Sequence, residues 1–344
     1  MNFPLLWDIT GKIIFASWSL LLYHKKSSGI DLFELFLLQV FIKHSFVGSL
    51  FSQKVLFSFA INIFQLPLCE AIMILSFHPC FESDKNIICA GRNPGADDLA
   101  AIKSAYAVIL PQGCGEYLYH MAVENCPNVF PDFDVKFKYP GKNGQIRLFE
   151  KEAVLFPKTS FFSSTAAFDR EHGENWDFFP FVFKFNWGGE GDNVYFLDSF
   201  SGLREILQKA VKYEKTGQKG FLIQEFIPSG GRSLRVVAIG GEFFSYWRVL
   251  PDKTGMCAGL GKGAVIDYDS DMDLQKIAIS AAIKFCIKTG INLAGFDFLF
   301  PSGCGKKEPF FLEINYFFGR KGIGGSEKFY KILVNQILLW LSSL

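Results

Sequence analysis

Asp297, Glu313 and Asn315 are the residues of this chain whose types and spacing most directly allow shared chemistry. Residues 293–300 and 310–315 both read as strands. Aromatic and aliphatic side chains alternate, and Pro301, Gly303, Gly305 and Pro309 mark the nine-residue connection. With Phe300 opposite Phe310, antiparallel register brings Asp297 across from Glu313 and leaves Asn315 on the same face. Two carboxylates opposed on a sheet repel. A divalent cation would resolve the repulsion, and two carboxylates with an amide oxygen are hard ligands of the kind magnesium takes while holding substrate phosphates. Two unrelated acids on a solvated edge are the plainer alternative.

Lys184 is a second candidate. Residues 181–186 alternate so that Phe181, Phe183 and Phe185 share one face and Lys184 lies on the other, between Val182 and Asn186. Trp187-Gly188-Gly189-Glu190-Gly191-Asp192 follows, and its glycines allow backbone N–H groups to close around phosphate oxygens. Lysine and glycine hairpin together read as a phosphate clamp; an ordinary turn beside a lysine that snorkels to water stays open at this point. Arg235 and Arg248 sit inside strands at 233–239 and 242–249, joined by Gly240-Gly241. Guanidinium groups on a sheet that lines a cleft suit phosphate or carboxylate recognition, although arginines on exposed faces are commoner. Residues 255–264, with four glycines and Lys262, read as a mobile loop or lid. Cys114, between Gly113 and Gly115, has no evident base nearby and reads as a packed small residue.

Strands and helices around these residues follow one another in a readable order. A buried strand at 72–77, another at 86–89, a helix over 99–105 opened by Asp97 and Asp98, and a strand at 107–110 predict an α/β unit with parallel strands. Gly91-Arg92-Asn93-Pro94-Gly95 lacks the spacing of a phosphate-loop fingerprint and reads as a turn. A helix over 115–124 precedes an irregular, aromatic-rich linker that runs to Gly141. Helices at 142–152, 203–213 and 273–289, the last ended by Gly290, alternate with a strand at 221–227 and the strands already described.

Composition sets the outer bounds. At 344 residues the chain can hold two or three domains, and 35 basic against 34 acidic residues leave no strong field for a polyanion, so no nucleic-acid partner is expected. The eight cysteines form no C-x-x-C pair and no zinc-like spacing, which fits reduced thiols and a cytoplasmic location. Residues 1–72 hold three of the 32 glycines, and their apolar segments are short or interrupted, so membrane association is not expected. We expect this segment to be dispensable for the site and absent from the natural protein, with translation starting at Met73; a membrane anchor is the functional alternative.

Phe181-x-Phe-Lys184 with its glycine hairpin, Gln224-Glu-Phe-Ile227, Ser233-x-Arg235, Gly295-Phe-Asp297 and Glu313-x-Asn315, in this order, resemble the ATP-grasp superfamily, and within it the RimK-type relatives of glutathione synthetases and D-alanine ligases. The resemblance covers residues 73–344. It implies an α/β and α+β chain with the ATP-grasp fold. A small N-terminal α/β domain (73–140) would precede two α+β subdomains (141–227 and 228–344) that enclose ATP, behind a poorly defined apolar segment (1–72). Lys142, Lys184 and the backbone of Gly188, Gly189 and Gly191 would contact the phosphates. Gln224, Glu225, Phe226 and Ile227 would frame the adenine, with Glu225 accepting from its amino group. Asp297, Glu313 and Asn315 would hold magnesium or manganese, and Arg235, Arg248 and Lys262 would be the catalytic residues on the acyl-phosphate side.

Two departures stand out. Ser233 occupies a position that is acidic in many relatives, and Asn315-Tyr-Phe-Phe318-Gly319 replaces a common Asn-Pro-Gly turn. The implied activity is an ATP-dependent ligase joining a small-molecule or peptide carboxylate to an amine through an acyl phosphate. A phosphotransferase and a nucleotide-binding module without turnover are the alternatives, and homo-oligomerisation is left open.

Overall fold

A computed structural model describes residues 72–89, 91–173, 176–188, 193–251, 263–303 and 307–344. The expectations for residues 1–71, Gly189, Gly191 and Lys262 lie outside the described residues. Ile72–Leu344 form one unit, and its strands fall into three sheets.

The first sheet is parallel, in the order β2-β1-β3-β4: β1 (Ile74–Ser76), β2 (Lys85–Asn86), β3 (Ala107–Ile109) and β4 (Val129–Phe130). Ala107, Val108 and Ile109 are all fully buried, as a parallel strand covered on both faces requires. The strand expected at 86–89 is only the short edge β2. The linker expected to be irregular carries β4 and a short helix, α3 (Asp134–Lys138), because two residues of strand are too few to show a period and are fixed instead by hydrogen bonds such as Leu110 N–H to Phe130 O at 2.7 Å. Helices α1 (Ala96–Lys103) and α2 (Glu116–Asn125) make the crossovers. The 91–95 turn has its own work: Arg92 pairs with Asp98 at 2.6 and 2.7 Å, and Asp98 accepts the Gly95 N–H at 2.7 Å, which closes the start of α1.

After α4 (Gly141–Lys151), the second sheet is antiparallel in the order β5-β8-β6-β7, from β5 (Thr159–Phe162), β6 (Phe181–Phe185), β7 (Val194–Leu197) and β8 (Phe221–Glu225), with helices α5 (Thr165–Glu171) and α6 (Phe200–Lys215). Phe181, Phe183, Phe185, Phe221 and Ile223 pack with Leu203, Ile206 and Ala210 of α6. Register then puts Val182, Lys184, Leu222 and Gln224 on the opposite face, away from those helices.

The third sheet is also antiparallel, in the order β11-β10-β9-β12-β13: β9 (Arg232–Ile239), β10 (Glu242–Val249), β11 (Val265–Asp267), β12 (Leu293–Leu299) and β13 (Phe310–Asn315). Leu234, Val236, Ala238, Phe296 and Phe298 meet Ala278, Ala282 and Phe285 of α7 (Met272–Thr289), together with Leu148 and Phe149 of α4. Burial of each such large side chain is worth about 1.5–3 kcal/mol against exposure. On the other face Val237, Ile239, Tyr246 and Leu293 meet Phe329, Leu333 and Ile337 of α8 (Ser326–Ser342). That second face is apolar at one end and polar at the other, where Ser233, Arg235, Arg248 and Asp297 project.

One register expectation is corrected. Phe310 pairs with Leu299 and Phe311 with Phe298, and a bulge then restores Asp297 opposite Glu313. The bulge shifts the phase of β13, so Phe311 and Ile314 both reach the core while Glu313 and Asn315 stay on the face of Asp297. Strict alternation would have put Glu313 on the side of Phe311.

Candidate functional site

Asp297 lies at the centre of the polar end and is 3% exposed. Its cross-strand partner on β9 is Arg235. Arg235 Nε and Nη2 donate to the two carboxylate oxygens, the second at 2.9 Å. Gly295 makes room for this: a Cβ there would stand 3.0 Å from Arg235 Nη1 and 3.2 Å from the Phe318 Cβ. Arg248 brings Nη2 to 2.9 Å from Asp297 Oδ1 and donates from Nε and Nη2 to Ser233 Oγ at 3.2 and 2.9 Å. Asn315 Nδ2 donates to Asp297 Oδ2 at 3.2 Å. Burial works to raise the Asp297 pKa, and the charges of Arg235 and Arg248 outweigh it and hold the carboxyl below its usual range. The repulsion read from the sequence is therefore already compensated, by two guanidinium groups that strand periodicity did not bring to this carboxylate. Ser233, the departure from the acidic residue of relatives, holds Arg248 in place.

Glu313 is set by a residue that no motif or spacing singles out. Gln145 of α4 donates from Nε2 to Ile314 O at 2.8 Å and accepts the Ile314 N–H at 2.9 Å, so its amide acts as a short extra strand on the edge of β13. Two lysines converge on the same region. Burial lowers the pKa of half-buried Lys184 to about 8; Glu313 opposes that shift and Lys142 reinforces it. Burial also lowers Lys142, again opposed by Glu313. Lys142 Nζ donates to Gly188 O at 3.0 Å, and Asn186 Oδ1 accepts the Asn143 N–H at 3.3 Å, which ties the start of α4 to the turn after β6. Gly188 takes φ +84°, and a Cβ there would stand 2.5 Å from Asn193 Nδ2.

The residues at 224–227 divide. Gln224 is 2% exposed and donates to Thr159 Oγ1 at 2.8 Å, so its amide joins β8 to β5. Glu225 exchanges backbone and side-chain bonds with Lys158: its N–H donates to Lys158 O at 2.7 Å and its Oε2 accepts the Lys158 N–H at 3.2 Å. The Phe226 ring meets Phe196 edge-on at 4.8 Å, and Ile227 is buried. Cys114 is buried and its thiol is pushed up to about 12, a packed and inert side chain.

The fit of a divalent cation is uneven. Among the described residues no three His, Cys, Asp or Glu side chains cluster as a metal-binding group. The Glu313 carboxylate takes no hydrogen bond from a described residue, and Asn315 has its Oδ1 free once Nδ2 faces Asp297. Those two oxygens suit a hard cation. Both oxygens of Asp297 are already engaged by Arg235, Arg248 and Asn315. The arrangement can neutralise a polyanion with Lys142 and Lys184 and hold a cation with Glu313 and Asn315.

No family model matches the chain, and no curated protein matches it. Among solved structures it is similar to the D-cycloserine synthetase DcsG, with 14% identity over 78% of this chain and 98% of that one at a TM-score of 0.51. The D-alanine–D-alanine ligase of Bacillus anthracis complexed with ATP aligns at 13% identity over 76% of this chain and 87% of that one, TM-score 0.50. A RimK-domain ATP-grasp protein of Sphaerobacter thermophilus aligns at 14% identity over 68% and 81%, TM-score 0.46. The fold is that of the ATP-grasp proteins. No described helix is long and apolar enough to cross a membrane.

Proposed function

We propose that the chain is an ATP-dependent carboxylate–amine ligase. The convergence of Lys184 and Lys142 on Glu313, beside the Asp297–Arg235–Arg248 cluster, carries this reading. Lys184 and Lys142 would neutralise the ATP phosphates, the turn at Gly188 would approach them, and Phe226 and Ile227 would border the adenine. Gln224 acts one step back, by holding β8 against β5. The three segments 73–140, 141–227 and 228–344 would supply one sheet each, although α4 packs its apolar face with the third sheet. Lys262, outside the described residues, would join Arg235 and Arg248 on the acyl-phosphate side.

In the reaction, a substrate carboxylate oxygen attacks the γ-phosphorus and the bond to ADP breaks. An amine then attacks the acyl carbon, and phosphate leaves with the bonding pair while the amine loses a proton. Little side-chain acid or base is needed, which suits a site of fixed cations. Magnesium, held by Glu313 and Asn315, would supply charge neutralisation at the phosphates. Arg248, held by Asp297 and Ser233, would lie on the side of the substrate anion with Arg235, which is committed to Asp297 on both oxygens.

The saturation of Asp297 favours one second reading, nucleotide binding without turnover. Release of ADP that depends on an added amine and acid, with product mass greater than either, decides for the ligase. Glu313→Ala is expected to lower turnover at least tenfold and to raise the magnesium concentration needed; an unchanged magnesium dependence removes Glu313 from the metal site.

A further inference from the structure

We propose that Gln112 is a specificity-determining residue that binds one substrate through a neutral amide edge, a hydrogen-bond donor beside an acceptor; the proposal rests on the ligase reading above. Gln112 is 4% exposed, and among the described residues neither its Nε2 nor its Oε1 has a hydrogen-bond partner. It is the one described side chain with buried polar atoms in this state. An enclosed, unpaired amide is costly, and an apolar residue of the same shape would be the more stable choice for packing alone.

Its position gives the cost a use. β1 and β3 are the neighbours from which the parallel sheet is wound outward in both directions, to β2 and to β4, and the crevice beyond the carboxyl ends of such a pair is where open α/β sheets take ligands. Gln112 follows β3 in a turn closed by Cys114 N–H to Pro111 O at 2.9 Å. Lys136 Nζ holds the same loop through Cys114 O at 3.1 Å. The amide is therefore placed by a fixed backbone. His78 follows β1, and the pairing of Ser76 with Ile109 puts both residues beyond the same end of the β1–β3 pair.

Gln112 and His78 are both uncharged, with the cations Lys136 and Arg320 nearby. His78 Nδ1 accepts the Cys80 N–H at 3.1 Å, so the ring proton belongs on Nε2, and the ring stands edge-on to Tyr330 at 5.9 Å. Burial, with Arg320 adding to it, keeps the ring uncharged. A carboxamide or peptide unit can accept from Nε2 and donate to Oε1 at once, whereas a carboxylate can only accept and an ammonium can only donate. The edge also borders the proposed nucleotide site. Phe317, two residues beyond Asn315 and 74% exposed, brings its ring to 4.0 Å from where a Gly113 side chain would begin.

Thermal unfolding of the full chain and of Gln112→Met tests this, with MgATP alone and with MgATP plus N-acetylglycinamide or glycine. Without additions Gln112→Met is expected to melt about 2 °C higher than the parent, and with MgATP both proteins shift equally. N-acetylglycinamide then raises the parent further and leaves Gln112→Met unmoved. A Gln112→Met variant that melts several degrees lower, an amide shift that survives the substitution or is missing from the parent, or a response to glycine alone overturns the proposal. Absence of a MgATP shift in both proteins instead counts against the ligase reading, and the comparison without additions still judges Gln112.

Discussion

Arg235→Met should be the most destabilising single change in the polar end of the third sheet. Its side chain is 7% exposed and that of Asp297 4%. Their attraction at a charge separation of about 4 Å and an effective dielectric of about 20 is roughly 4 kcal/mol. Both groups have already lost their hydration, so removal of the cation leaves a buried carboxylate with Arg248 alone, a loss of about 3–5 kcal/mol. Arg248→Met should cost only about 1–2 kcal/mol, because Asp297 keeps both bonds to Arg235 and Arg248 holds it through one nitrogen. Urea unfolding at pH 7 measures both. The pH dependence gives a second handle. In the parent, Asp297 has its pKa held below the usual value, so its contribution is present above the unfolded pKa and fades as pH falls through the folded one. Once Arg235 is gone, burial dominates and the carboxyl rises, so the penalty should shrink between pH 7 and pH 4.5 as Asp297 takes a proton. A penalty below about 1 kcal/mol, or one that does not change with pH, would refute the claim that Arg235 compensates this buried charge.

Three further outcomes can be measured. Lys184 titrates near 8 in the free protein, so MgATP affinity should fall about tenfold per pH unit above that point and stay level below it; Lys184→Arg should remove the dependence, as seen by calorimetric titration from pH 7 to 9.5. His78 is held to about 4 by burial against an unfolded value of 6.5, so the folded chain binds fewer protons in that window and should lose about 3 kcal/mol between pH 6.5 and 4. His78→Asn should flatten that part of the urea-midpoint profile, and an identical slope would show that other groups cause it. Gln145→Leu should cost about 1–3 kcal/mol by leaving the Ile314 N–H and carbonyl without their partner, and should lower ADP release through misplacement of Glu313; a stable variant with full turnover would show that β13 holds its own position.

What depends on short-range pattern is legible in the amino-acid sequence alone. Period-two alternation is enough to put Lys184 opposite the Phe181, Phe183 and Phe185 face, and a glycine at 290 is enough to end α7, where it takes φ +79°. The opposition of Asp297 and Glu313 was legible for the same reason, since the two lie on one hairpin, although a bulge rather than the expected pairing of Phe300 with Phe310 delivers it. Tertiary structure decided everything that depends on partners far apart in the chain. Arg235 and Asp297 are 62 residues apart, and Gln145 and Ile314 are 169 apart, so no local spacing signals either contact. Sequence pattern placed the arginines on strands and left their partner open; the order β10-β9-β12 brought both to one carboxylate. It likewise sent the Gln224 amide to Thr159, turned residues 129–130 into a sheet edge, and enclosed the Gln112 amide beyond β3. Side-chain type and strand phase are written locally, whereas which charges are compensated and which polar groups go unpaired is fixed only when distant strands are laid side by side.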